Sequence, residues 1–206
     1  MHPTGDHRHR AAAVRTVASV LALTVVLASP AQAQAEPPVP APSSADKPPV
    51  AVGADWRYEK RSPEGRDLHQ FFCQQPACGP HSAVSYRIYA PHAAMTLEQF
   101  RQDQERILRM LQERAAPGTR ITSLEITGDD GGKIPSMFVA RRLTEFPNGA
   151  KEYRVSSTLY GAKYTASLIS TSQDEKAATA NHALFTVGVM LFVNSGVPLA
   201  IGANPR

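Results

Sequence analysis

Two thiols and two imidazoles fall within thirteen residues, in the order His69-x3-Cys73-x4-Cys78-x2-His81. Thiolate sulfur and imidazole nitrogen are the groups that hold zinc tetrahedrally, so the set could bind a metal. The same thiols could cycle between dithiol and disulfide, or form one fixed bond. Spacing separates these chemistries. Thioredoxin-like redox pairs hold their cysteines two residues apart, whereas four residues lie between Cys73 and Cys78. Compartment separates them further, because neighbouring cysteines pair by default where conditions are oxidising. A structural disulfide between Cys73 and Cys78 is the expectation. A thiol-redox or metal-dependent enzyme using Cys73 and Cys78 with His69 and His81 is the alternative.

The remaining reactive side chains stand alone in the sequence. His92 and His182 have no visible partner. Asp129 and Asp130 sit in a glycine-rich run that lacks the alternating acids and distal glutamate of a calcium loop, and read as a hairpin turn. Ser44 and Lys47 have the spacing of a serine–lysine nucleophile, but lie in a proline-rich stretch that cannot hold catalytic geometry. No G-x-S-x-G, P-loop, dinucleotide fingerprint or H-E-x-x-H occurs in the 206 residues. No catalytic residue, metal or cofactor is therefore assigned.

The compartment is read from the first 35 residues. Arginines at 8, 10 and 15 precede an uncharged apolar run, Thr16 to Ala28, and two small-x-small cleavage patterns follow, ending at Ala33 and Ala35. That order is a secretory signal peptide, which implies a periplasmic or secreted location. Residues 36–54 are a linker, with six prolines between Glu36 and Val50, a composition that favours extended chain. Residues 55–206 suit one domain with a core of its own. Without its first 35 residues the chain keeps 19 basic and 17 acidic side chains. On the stretch from Thr96 to Arg114 the two signs are interspersed, which is a solvated face and not a nucleic-acid stripe.

The elements that must position these residues follow from periodicity. Ala83 to Ala90 alternates as a strand, and shorter strands are expected around Trp56 and between Asp67 and Cys73. Thr96 and Gln99 form a capping box, with Met95 and Phe100 as its hydrophobic staple. The helix they open buries Leu97, Phe100, Ile107, Leu108 and Leu111, and Gln104 interrupts this stripe where a leucine would fit. Four strands in meander order come next, from Ile121 through the hairpin of Lys151 to Thr171, which turns at Gly161-Ala162 in a type II′ geometry. Ser172 and Glu175 read as a second capping box, opening a helix at Gln173. Its stripe of Ala177, Ala180, Leu184, Val187 and Leu191 is expected on the sheet. Phe185, Val189 and Phe192 then occupy the remaining arc, which is either wrapped by other elements or free to dock a partner. The apolar stretch is too short for a stable membrane span. The tail from Gly196 reads as irregular.

The sum is an α+β fold, an antiparallel β-sheet of about 5–7 strands with two main helices packed on it. This order resembles the Mog1/PsbP-like fold. The run from Ser157-Thr158-Leu159-Tyr160-Gly161 to Asn181 resembles the hairpin-to-helix end of DcrB-like exported bacterial domains. Cys73 and Cys78, Val84-Ser85-Tyr86-Arg87, Met95-Thr96-Leu97 and Ser167 to Glu175 are similar to elements of exported proteins of alphaproteobacterial type. The resemblance covers roughly residues 55–193, and its motifs are structural, so it carries over no functional residue. It implies a non-enzymatic domain of the cell envelope that binds a protein partner or a small ligand, with no nucleic-acid partner.

Overall fold

The computed structural model describes residues 47–129 and 132–201. The signal peptide, the linker as far as residue 46 and Asp130 lie outside them. The strands are β1 (Val50–Val52), β2 (Trp56–Arg61), β3 (Leu68–Cys73), β4 (Ala83–Tyr89), β5 (Arg120–Gly128), β6 (Ser136–Glu145), β7 (Lys151–Tyr160), β8 (Thr165–Ser172) and β9 (Leu199–Ile201). Helix α1 (Leu97–Arg114) follows β4, and helix α2 (Glu175–Ser195) follows β8. Seven strands form one antiparallel sheet in the order β2-β3-β4-β8-β7-β6-β5, while β1 and β9 pair in parallel as a separate ribbon. The fold is α+β.

Cross-strand register assigns the faces. Phe71 pairs with Val84, Val84 with Ser170 and Ser170 with Val155, so these share one face, as do Tyr86, Leu168 and Ser157. Helix α2 covers this face. Phe138, Ala140, Ser156, Thr158, Tyr160, Ser167 and Ile169 belong to the other, where α1 packs with Phe100 against Phe138, Ala140 and Tyr160. Strand β5 alternates poorly in sequence because a bulge falls between Ser123 and Glu125. The extra residue shifts the period, so Ile121 and Ile126, five apart, both face α1.

The capping box of α1 is present. Gln99 donates its backbone N–H to Thr96 Oγ1 at 3.2 Å, and Thr96 donates to Gln99 Oε1 at 2.8 Å. Met95 joins Phe100 in the core on that side. Helix α2 begins differently from expectation. Its N-cap is Asp174, whose Oδ1 accepts from Ala177 N at 2.7 Å. Ser172 is still the last residue of β8, and its hydroxyl donates to Pro80 O at 3.1 Å. An extended strand residue cannot also cap a helix that starts three positions later.

The largest correction concerns which side of α2 is buried. Phe185 and Val189 are fully buried and Phe192 is 8% exposed, whereas Leu184, Val187 and Leu191 are 40%, 59% and 55% exposed. The partner-docking arc of Phe185, Val189 and Phe192 is the core. Phe185 meets Trp56 and Phe71 edge-on, at 5.3 and 5.0 Å between ring centroids. The physical reason is that the buried stripe also contains Asn181, His182 and Gly188, which a purely apolar criterion discounts. Asn181 and His182 both find hydrogen-bond partners, so their burial costs little.

Two glycines permit close approach around this helix. A Cβ at Gly188 would overlap Ile201 and Val50 of the β9–β1 ribbon. The β7–β8 turn is centred on Ala162 and Lys163, one residue later than expected, because Gly161 N bonds Tyr164 O at 3.0 Å. Gly161 serves instead where the turn abuts α2, since a Cβ there would strike the Val193 backbone. Lys163 N and Tyr164 N both donate to Val193 O, at 2.9 and 3.0 Å, satisfying the helix end. The ribbon differs from expectation, because β1 falls in the proline-rich linker and β9 in the tail, where the sequence predicts no strand. Tyr86 holds it, since its hydroxyl lies 2.9 Å from Val50 N and 3.0 Å from Val50 O. Helix α2 has the length and composition to cross a membrane, but its aromatic side packs on this domain's sheet.

The inverted face gives a direct expectation. Phe185→Ala should cost about 3–5 kcal/mol through the cavity it leaves, while Val187→Ser should stay within about 0.5 kcal/mol, as at a surface site. Urea melts of the two variants beside the parent decide it, and similar losses in both would mean the helix is covered on both sides.

Candidate functional site

The cysteines are joined. Cys73 ends β3, Cys78 closes the helical turn Pro76–Cys78, and their Cα atoms lie 5.9 Å apart across the disulfide. Asn181 of α2 donates its side-chain amide to Cys78 O at 2.8 Å, tying the bonded loop to the helix. The two histidines do not gather around the sulfurs. His69 is buried on the α2 face, stacked on Tyr86 at 4.8 Å, with Nδ1 2.9 Å from the Tyr58 hydroxyl. His81 is exposed, in a left-handed turn with φ of 50°. Among the described residues no three His, Cys, Asp or Glu side chains are grouped to hold a metal. His92 lies at the surface beside Tyr89, where its backbone N–H donates to Thr165 Oγ1.

His182 and Ser157 meet under α2, with Nε2 3.0 Å from the serine oxygen. A serine hydroxyl beside an imidazole is the start of a nucleophile–base pair. Here both side chains are buried, at 6% and 4% exposure, inside the α2 core and away from solvent. Thr186 supplies the other neighbour, 3.4 Å from Nδ1, while donating its own hydroxyl to His182 O. The pair is structural. Burial lowers the His182 pKa from 6.5 to about 4, so the imidazole is neutral in the folded protein at pH 7.

The other face of the sheet is built differently. Helix α1 lies over β5 and β6, and between it and β7–β8 is a groove of about 230 Å³. Its floor is the β7 run Ser156 to Thr158 with Ser167 and Ile169, its walls are Phe100, Ile107 and Leu111, and Gln104, Arg142 and Arg154 also line it. Arg142 is only 6% exposed. It donates to Gln104 Oε1, and no carboxylate among the described residues lies within ion-pairing distance of it. Its neighbour on the opposite face, Arg141, is paired with Glu125 at 3.4 Å and Glu175 at 2.8 Å. Directly across the strand from Arg142 stands Arg154, whose carboxylate contact, Glu152, is 3.6 Å away on its own strand. Like charges placed opposite each other destabilise a sheet, and desolvation, then the Arg154 charge, holds the Arg142 pKa below its ordinary value.

No motif in the sequence marks this groove. The signal it left is Gln104, the polar residue in the apolar stripe of α1, which accepts from the buried Arg142 guanidinium. Beyond Ser167 the floor continues onto uncovered sheet, a depression lined by Leu68, Ser85, Arg87 and Tyr89. Arg87 stands directly opposite Ser167. Compared with protein-family models and with curated proteins, the sequence matches none.

Two measurements test the structural roles assigned here. Cys73→Ser should lower stability by about 2 kcal/mol, the chain-entropy value for so small a loop, with the far-UV spectrum retained. An unchanged melt under oxidising conditions would count against the bond. For His182, the unfolded chain binds a proton near pH 6.5 and the folded chain only near 4. Stability is therefore full above pH 6.5 and falls as pH drops towards 4, by about 3 kcal/mol at most. His69, lowered by burial, acts in the same direction. In His182→Gln, urea melts from pH 7.5 to 4.5 should show a flatter dependence than the parent.

Proposed function

We propose that this is an exported, non-enzymatic domain of the cell envelope, Mog1/PsbP-like in fold, that binds a small ligand in the groove between α1 and the sheet. Export is supported by the order of basic, apolar and small residues before Glu36, and a disulfide suits an oxidising compartment. The fold reading rests on the element order, one helix after the early strands and another after the final hairpin. Ligand binding rests on one observation. Arg142 is a buried cation facing a lined groove and has, among the described residues, only an amide for a partner, and a buried charge is costly unless something complements it. Groove walls that are apolar, with a few convergent polar groups, are the usual make-up of a small-molecule site.

A protein partner is the second reading, and its surface is the exposed side of α2. Val187 and Leu191, with Pro135, Met137 and Met190, line an apolar depression of about 490 Å³, and exposed apolar patches of this kind mark interaction sites. The readings separate by native mass spectrometry of protein isolated from its own envelope. The first expects a small-molecule adduct on the parent that Ser156→Trp, which fills the groove floor, removes. An adduct that survives Ser156→Trp, or none in any preparation while Val187→Ser alone alters assembly, would move the function to α2.

A further inference from the structure

We infer that the ligand of the α1 groove is an oxyanion on a short apolar body, its negative end held between Arg142 and Arg154. This rests on the groove being a binding site, as proposed above, and adds the chemical class. Arg142 and Arg154 are directly opposed on β6 and β7, on the face that lines the groove. A guanidinium presents five donors in a planar fork that matches two oxygens of a carboxylate, sulfate or phosphate. Arg142 has one acceptor, Gln104 Oε1, leaving most of its fork without a partner among the described residues. A bridging oxyanion would satisfy that fork and cancel the repulsion between the two guanidinium groups at once. A neutral hydroxyl or amide could do only the first.

The rest of the lining sets the body. Phe100, Ile107, Leu111 and Ile169 give an apolar wall, and Ser156, Thr158 and Ser167 a hydroxyl floor. A cavity of about 230 Å³ lies below the roughly 300–1,000 Å³ of drug-sized pockets, so the enclosed part of the ligand is short. Arg87, opposite Ser167, has no carboxylate within ion-pairing distance among the described residues. The positive character therefore continues along the open sheet, where a longer ligand could extend.

Calorimetric titration of the full-length protein with octanoate, octyl sulfate and 1-octanol, at low ionic strength, tests the class. At least one of the two anions should bind about tenfold or more tighter than the alcohol, as a charge-assisted bidentate contact implies, and the tighter of them identifies the headgroup. Arg142→Gln should remove that preference, while Ile107→Ala should weaken anion and alcohol alike. Should Arg142→Gln fail to fold, Arg154→Gln, at a half-buried position, carries the same test. Equal binding of anion and alcohol would overturn the oxyanion assignment and leave the groove as a binding site. Binding of none of the three, up to millimolar concentration, would remove both.

Discussion

Burial of the Phe185 side of α2 against the central strands is the constraint on which the rest of the structure depends. Phe185, Val189 and Val193 are fully enclosed, and at about 1.5–3 kcal/mol for each such side chain they anchor the helix. To be enclosed they need cover from three directions. The central strands supply Phe71, Tyr86 and Leu168, the edge strand β2 supplies Trp56, and the β1–β9 ribbon supplies Val50 and Ile201. The ribbon reaches the helix only because position 188 has no side chain, and it is latched to the sheet by the Tyr86 hydroxyl. The disulfide belongs to the same system, since Cys78 O accepts from Asn181 in the buried face of the helix.

The two faces of the sheet are consequently unequal. On the α2 side the larger polar groups are satisfied in place, as with His182 on Ser157 and Asn181 on Cys78 O, and the small hydroxyl of Ser170 is the exception. The α1 side leaves hydroxyls and arginines facing a groove, and α1 itself is anchored mainly by Phe100 near its N-terminus. Further along α1, Ile107 and Leu111 are only half-buried, because space remains beneath them. Burial is concentrated on the α2 face, and the other face carries a cation pair that opposes folding. Natural proteins keep local conflicts of this kind mainly at sites of function.

That contrast also orders the candidates for chemistry. The residues that looked reactive in sequence, the cysteines and His69, are consumed by the α2 core and its disulfide loop. Arg142 and Arg154 carry no motif in the sequence, and Gln104 stands out only as a break in the apolar stripe of α1. Chemical type did not mark the site. What marks the candidate is the absence, among the described residues, of a counter-charge at a buried position, which is a property of three-dimensional neighbours.

The sequence by itself determined the α+β class, the order of the elements from β2 to α2, the meander from β5 to β8, the Thr96–Gln99 cap and the pairing of Cys73 with Cys78. Each of these is local: alternation, capping and short loop closure act over a few residues and leave their mark in spacing. Only the tertiary structure decided which side of α2 is buried, where β1 and β9 lie, and what faces Arg142. For α2 the two stripes differ by one position in register, and the buried one includes Asn181 and His182, whose burial depends on partners distant in the chain, the Cys78 carbonyl and Ser157. For β1 and β9, strands of three residues among prolines and glycines carry no readable period, and their pairing joins the two ends of the described chain. The arginine pair is likewise set by register between β6 and β7, since residues twelve apart become neighbours only when the hairpin closes.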